Sequence, residues 1–340
     1  MKAFWGDLSR FRSELFGLSI IEILIFHFFE NYFNSGRLSS SFLTVLGKDY
    51  YLVFGAIGVE IFLFLSGMGL YYSLNRTTSG KVAFYKRRFK RILPSFLPVA
   101  VIYYVWLNFI KTDAGIYGFI KGISFFNLFR IHDTTYWFIF LIFVMYILFP
   151  YLYQLLRGNN GKRKLNLVLV LVIWVAICYL LITLNFKIFM NIEIFMFRIP
   201  IFILGIYFGK AIMDNRKLSL FDLVLLCVIA VLKFVFIHDS IVPIKGRIIA
   251  SFWMFPVIFL CIIFIKMVII RIKWLDQFIK FTGSISLELY IIHVSLREIF
   301  NAYGFSMAIL WHYLVMVCLT YVLAILLKVT QDKIVLHSIK

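Results

Sequence analysis

Acidic residues, prolines and cysteines are all scarce in this chain, and each shortage closes off a class of protein. Asp and Glu number 16 against 35 Lys and Arg, and charged residues of both signs fill only 15% of the 340 positions. An ordinary soluble domain carries about 25% charged residues, so water is not the main solvent of this surface. Six prolines leave room for long uninterrupted helices. The four cysteines, Cys178, Cys227, Cys261 and Cys318, stand singly in apolar stretches. Without a CxxC spacing they exclude a ribbon-type metal site or dithiol redox pair and read as small packing residues. A cleavable leader is missing too, because the apolar run from Leu15 lacks a small-residue cleavage site and contains Glu22 and His27. That run reads as a first membrane span.

What is present in excess is hydrocarbon. Hydrophobic residues make up 63% of the chain, including 40 Phe and 19 Tyr, more aromatic surface than one soluble core absorbs but suited to lipid-facing helices and interfacial belts. A bilayer core of about 30 Å needs roughly 20 apolar residues per helix. Windows of that kind run at 15–32, 52–74, 92–110, 134–156, 165–184, 194–213, 218–237, 248–270, 278–298 and 306–328. The fold expected is all-α, a polytopic membrane bundle of about ten transmembrane helices, with 1–340 as a single transmembrane domain. The longest loop expected is the stretch 111–133.

Cations retained on the cytoplasmic side orient such a bundle. With the N-terminus inside, the inner segments collect two dozen Lys and Arg, including Lys2, Arg10 and Arg12 and the run from Arg76 to Arg91. The outer segments hold nine, among them Lys48, Lys111, Arg130 and Arg297. The imbalance predicts N-in and C-in. It also assigns the net charge of +19 to membrane topology and lipid contact, so nucleic acid is not an expected partner. No internal repeat is evident, which weakens an inverted-repeat transporter.

Ionisable groups inside spans are expensive, so each is a candidate for function. At about 1.5 Å per residue, His27 lies about 18 Å along an outward-running first span and Glu60 about 12 Å along an inward-running second. Trp137 and Arg198 fall near the outer ends of the fourth and sixth spans, and His293 about 22 Å along the ninth with Glu288 deeper. Taken singly, His27 suits a carbonyl-bonded histidine, Glu60 and Arg198 a helix-tying pair, Trp137 an interfacial anchor, and His293 a residue facing water. Their agreement in depth points instead to one polar cavity offering a base, an orienting partner and an anion stabiliser. In KVAFYKRRFKRILPSFLP, Arg88 and Arg91 are three apart on one helical face. They suit the phosphates of a cytosolic donor, or simply anionic lipid. Ser66-Gly67-Met68-Gly69 allows close approach of an acyl chain or of a packed helix. Lys233 and His312 read as snorkelling or helix-contact residues.

Six segments in order resemble the acyltransferase 3 family of bacterial membrane proteins. They are SELFGLSIIEILIFH ending at His27, GVEIFLFLSGMGLYYS from Gly58, FYKRRFKRILP from Phe84, YWFIFLIFVMYILFP from Tyr136, RIPIFILGIYFG from Arg198 and SISLELYIIH ending at His293. The resemblance implies about ten spans and transfer of an acyl group, commonly acetyl, from a coenzyme A thioester to a cell-envelope or extracellular glycan. It places the catalytic base on His27, the RxxR motif on Arg88 and Arg91, and the acidic residue before the SG motif on Glu60. The chain departs from the pattern at Phe16, where the family often has an arginine eleven residues before the histidine. Arg12, one turn away along nearly the same face, is the candidate substitute.

These readings make His27 and Glu60 the expected catalytic residues, with Arg88, Arg91, Arg12, Trp137, Arg198, Glu288 and His293 expected to bind substrate. Acyl-CoA, acetyl-CoA above all, is the expected co-substrate, with no bound cofactor and no metal. The partners expected are a carbohydrate acceptor and the bilayer of a bacterial plasma membrane, with an oligomer possible. Exporting a polysaccharide or lipid-linked sugar without chemistry is the alternative. A scaffold subunit of an envelope-synthesis complex would instead depend on none of these polar residues.

Overall fold

The computed structural model describes residues 4–36, 57–75, 80–214 and 252–337, together with single positions between 44 and 54 and between 216 and 231. The expected span 218–237 with Lys233, and the cations Lys2, Arg37, Arg76, Lys245, Arg247 and Lys340, lie outside the described residues. Among the described residues every regular element is a helix.

In chain order these are α1 (Phe4–Arg10), α2 (Arg12–Asn34), α3 (Ile57–Asn75), α4 (Lys81–Val105), α5 (Gly115–Ile123), α6 (Phe126–Ile131) and α7 (Trp137–Leu156). They continue with α8 (Asn160–Leu184), α9 (Phe186–Met196), α10 (Ile199–Met213), α11 (Met254–Met267), α12 (Lys273–Ser284), α13 (Ser286–Ala302) and α14 (Leu310–His337). Seven stretches among the described residues are long and apolar enough to cross a membrane. Three features separate that number from the ten expected. One expected span is not described. Helix α2 covers the first expected span and has the length, but is not among the seven. The span expected at 278–298 is two helices, α12 and α13, interrupted at Ile285. The expected 111–133 loop is largely helical, holding α5 and α6.

Polarity is arranged inside out. Helix α8 exposes Leu165, Val168, Leu169, Val172, Ile173 and Ile177, a surface that only lipid accommodates. Glu14, Glu60, Glu288, His293, Ser95 and Gln331 are buried. This is a multi-pass membrane protein.

The chain divides into two compact units, the first made of residues 1–65 and 211–326, the second of 66–210 and 327–340. Helices α3 and α14 each run from one into the other. In the first unit α2 packs on α12 backbone to backbone. A Cβ on Gly17 would collide with the carbonyl oxygen of Ile279, and one on Gly283 with that of Ser13. Small residues at both crossing points are what permit this approach, the usual device for helices that have no hydrophobic drive to associate in lipid. Ion pairs reinforce the same region. Lys280 reaches Asp276 at 2.7 Å and Glu14 at 3.4 Å, and Lys266 pairs with Asp7 of α1.

In the second unit the Ser66-Gly67-Met68-Gly69 stretch stays helical within α3. The space a Cβ on Gly67 would need is filled by the carbonyl of Phe202 on α10. Of its two sequence readings, tight helix packing is the one realised. Helix α7 ends at Leu156, ahead of Gly158 at φ +109°. Its last carbonyls lack intrahelical donors, and side chains supply them. Arg163 Nε donates to Leu156 O at 2.7 Å, Asn166 Nδ2 donates to Leu155 O at 2.7 Å, and Arg163 Nη2 donates to Tyr207 O at 2.6 Å. A guanidinium suits this place because it serves two carbonyls at once and complements the negative end of the α7 dipole.

Candidate active site

The first unit brings His27 and His293 together. His27 sits in the second half of α2 and His293 in the middle of α13, and His27 Nδ1 lies 2.7 Å from His293 Nε2. His293 is 0% exposed, whereas His27 is half-buried. The second nitrogen of His293, Nδ1, is 3.1 Å from the carbonyl oxygen of Tyr290, one turn back on α13.

This chain of contacts fixes protons. A carbonyl oxygen only accepts, so His293 Nδ1 carries the hydrogen. A neutral imidazole has one N–H, so His293 Nε2 is bare and accepts. His27 Nδ1 must then be the donor, which leaves the lone pair on His27 Nε2, the atom a general base uses. A backbone carbonyl on α13 thus sets the tautomer of a ring on α2 through an intervening ring.

An ion pair also ties α2 to α13, and further hydrogen bonds brace α2. Glu30 lies one turn beyond His27, Arg297 one turn beyond His293, and Arg297 Nη1 meets Glu30 Oε2 at 2.8 Å. Asn31 Nδ2 donates to the His27 carbonyl at 2.6 Å, and Tyr313 Oη on α14 donates to Leu24 O at 2.5 Å. From the sequence Arg297 reads only as an outer-side cation, and Glu30 carries no assigned role. Their signal was opposite charge at matching one-turn offsets from two histidines, readable only once the histidines are known to touch. Glu22, noted earlier only as incompatible with a leader, accepts from the Gly58 backbone N–H at 2.7 Å and from Tyr50 Oη at 3.2 Å. It thereby caps the start of α3.

The other expected site residues divide between the units. Glu60 is 6% exposed in the first turn of α3 and Glu288 is 4% exposed in the first turn of α13, both in the first unit. The ring on His27 Nδ1 is that of His293. His293, which alone could have faced water, is instead enclosed. Arg12 lays its guanidinium over the Phe16 ring at 5.1 Å, which carries a cation to the level of position 16.

In the second unit Arg198 stacks on the Trp137 ring at 4.9 Å and donates from Nη1 to Ile194 O at 2.6 Å. Arg88 is half-buried and donates from Nη2 to Ser73 Oγ at 3.0 Å, whereas Arg91 is exposed. Both lie on α4, which begins at Lys81 and so includes the basic run from Lys81 to Arg91.

An imidazole held in one orientation inside a membrane-embedded helical protein is a group suited to moving protons or groups within the bilayer. The acyltransferase 3 family model, described as an acyltransferase domain, matches residues 17–329. The chain belongs to that family and is a membrane acyltransferase. Among curated proteins and among solved structures, none matches it.

Proposed function

We propose that this protein is an O-acyltransferase of the bacterial plasma membrane. It moves an acyl group, acetyl in the first instance, from a coenzyme A thioester to a hydroxyl of a cell-envelope or extracellular polysaccharide. The observation that carries this reading is the ordered chain from the Tyr290 carbonyl through His293 to His27, which leaves a basic nitrogen on a half-buried ring. Acyl transfer to a hydroxyl needs such a base, because an alcohol is a weak nucleophile until its proton is removed.

In this mechanism His27 Nε2 takes the proton of the sugar hydroxyl as the oxygen attacks the thioester carbonyl. The tetrahedral intermediate collapses with cleavage of the C–S bond, and the proton on His27 passes to the departing thiolate. The products are the O-acyl glycan and free coenzyme A. His293 accepts from His27 Nδ1–H throughout and holds the ring. The buried carboxylates Glu60 and Glu288 offset the positive charge that forms on the imidazole. Arg88 and Arg91 bind donor phosphates, and Arg12 stands in for the arginine the family often has at position 16. Arg198, held by Trp137, serves the acceptor side or the oxyanion.

Purified protein in lipid nanodiscs is the test, given acetyl-CoA and envelope glycan, with free thiol and acylated glycan both measured. The wild type should release coenzyme A in step with glycan acylation, and His27→Ala should reduce the rate by about 10²–10⁴, the worth of a general base. Absence of thiol release, together with unchanged glycan acylation in cells carrying His27→Ala, would refute the reading.

A further inference from the structure

Helix α4 carries a second polar feature, deeper than the arginines. Ser95 lies four residues beyond Arg91 and seven beyond Arg88, on the same helical face and about 6–10 Å further along the axis. Its Oγ donates to Gln331 Oε1 of α14 at 3.1 Å. Both side chains belong to the second unit, with Ser95 0% and Gln331 8% exposed.

A serine tied to a glutamine is an ordinary way to join two membrane helices. That role leaves one atom unexplained, since Gln331 Nε2 is buried and has no hydrogen-bond partner. Such a donor is costly to bury in an apolar interior and marks a missing acceptor. On the helix of Ser95 the backbone supplies the complementary group. Pro94 and Pro98 both lie inside α4. Because Pro98 has no N–H, the carbonyl of Pro94 receives no helical hydrogen bond from the residue four further on. A buried N–H donor and a backbone carbonyl relieved of its helical donor thus adjoin one serine, the pair of groups that a secondary amide would satisfy.

We propose that Ser95, Gln331 and the Pro94 carbonyl form a recognition site for an amide of the acyl donor. The ligand class is a phosphopantetheine-type arm, whose first amide lies a few bonds from the diphosphate held at Arg88 and Arg91. Gln331 Nε2 donates to the amide carbonyl, and the Pro94 carbonyl accepts from the amide N–H. The inference rests on the coenzyme A donor proposed above. Gln331 lies two residues beyond the stretch matched by the family model, which ends at 329.

The test measures binding of S-ethyl coenzyme A, a non-transferable thioether, and of the same compound with a trans alkene in place of the amide nearest the diphosphate. Titrations use the full chain in nanodiscs as wild type, Gln331→Met and Arg88→Gln. A buried hydrogen bond of ordinary strength predicts that wild type binds the alkene compound about tenfold more weakly than the parent. Gln331→Met keeps the Pro94 carbonyl but loses the donor to the amide oxygen, so it should bind the parent more weakly and discriminate between the two ligands by only a few-fold. If wild type does not distinguish the two ligands, the inference fails irrespective of how any variant folds. Weaker binding by Gln331→Met that preserves the full discrimination assigns Gln331 to helix packing and also overturns it. Loss of affinity in Arg88→Gln with none in Gln331→Met removes the amide site while leaving the donor reading intact. Failure of the wild type to bind the parent compound overturns both.

Discussion

Replacing His293 tests whether the second histidine sets the state of the first. His293→Leu removes the acceptor 2.7 Å from His27 Nδ1 and frees His27 to adopt either tautomer or to rotate. During catalysis that hydrogen bond becomes charge-assisted, because His27 carries the substrate proton, and such bonds contribute about 1.5–3 kcal/mol. The loss therefore corresponds to about 10–10²-fold in rate. His293→Gln is the informative partner, since a glutamine oxygen can occupy nearly the place of Nε2 and restore the acceptor without a titratable group. The assay is glycan-dependent thiol release in nanodiscs, with kcat and the KM for acetyl-CoA determined separately and the thermal unfolding midpoint of each variant recorded. The expected order in kcat is wild type, then Gln within about tenfold, then Leu, with the donor KM unchanged. Equal losses in Gln and Leu, or full kcat in Leu, would sink the idea that His293 acts as an acceptor. A fall in kcat that tracks the unfolding midpoint instead would show that the ring only fills space.

Three further outcomes follow from the same geometry. Glu30→Gln leaves Arg297 with only its longer contact to Glu298, Nη2 to Oε1 at 3.6 Å, one turn, about 5–6 Å, from the histidine pair, where an imidazolium would meet up to about 3 kcal/mol of repulsion at an effective dielectric of 20. The rate should fall by up to about 10², and Glu30→Gln with Arg297→Gln should recover most of it; a double variant as slow as the single one contradicts the argument. Gly283→Ala puts a Cβ against the Ser13 carbonyl and should lower stability by about 1–3 kcal/mol, read as a drop in the unfolding midpoint, whereas an unchanged midpoint would show that α2 and α12 can separate freely. Arg163→Lys cannot serve Leu156 O and Tyr207 O together, so it should destabilise almost as much as Arg163→Leu, by about 1–3 kcal/mol; full stability in the lysine variant would contradict the forked-donor role.

The parts of this fold that were legible in the sequence are those governed by solvent. Helix α8 is hydrophobic all round because lipid surrounds it, and a window average finds it without help. Helix α2 was legible for the opposite reason, as an apolar run with His27 where no soluble leader would have it. What stayed hidden depends on which helices touch. Gly17 and Gly283 are unremarkable as single glycines, and only the α2–α12 crossing turns both into requirements. The break at Ile285 escaped for the same reason. Residues 278–298 are apolar enough for one span, but α12 ends at Ser284, just after its close approach to α2 at Gly283, and α13 starts at Ser286.

The histidine pair shows where reading one helix at a time reaches its limit. Depth along each helix placed His27 and His293 in a common layer, which is a statement about one coordinate. Contact requires the other two, and the α2–α12 crossing supplies a constraint on them. Helix α12 leads into α13 with only Ile285 between them, so anchoring α12 to α2 through Gly17 and Gly283 restricts where α13 can run. His293 then lies eight residues into a helix whose starting point is anchored by glycine packing. The proton order of the site therefore depends on two residues with no side chain. If so, Gly283→Ala should slow the reaction beyond what its loss of folded protein explains, and His293→Gln should not add its own loss to that variant in full, because residues that share one positional constraint are not independent.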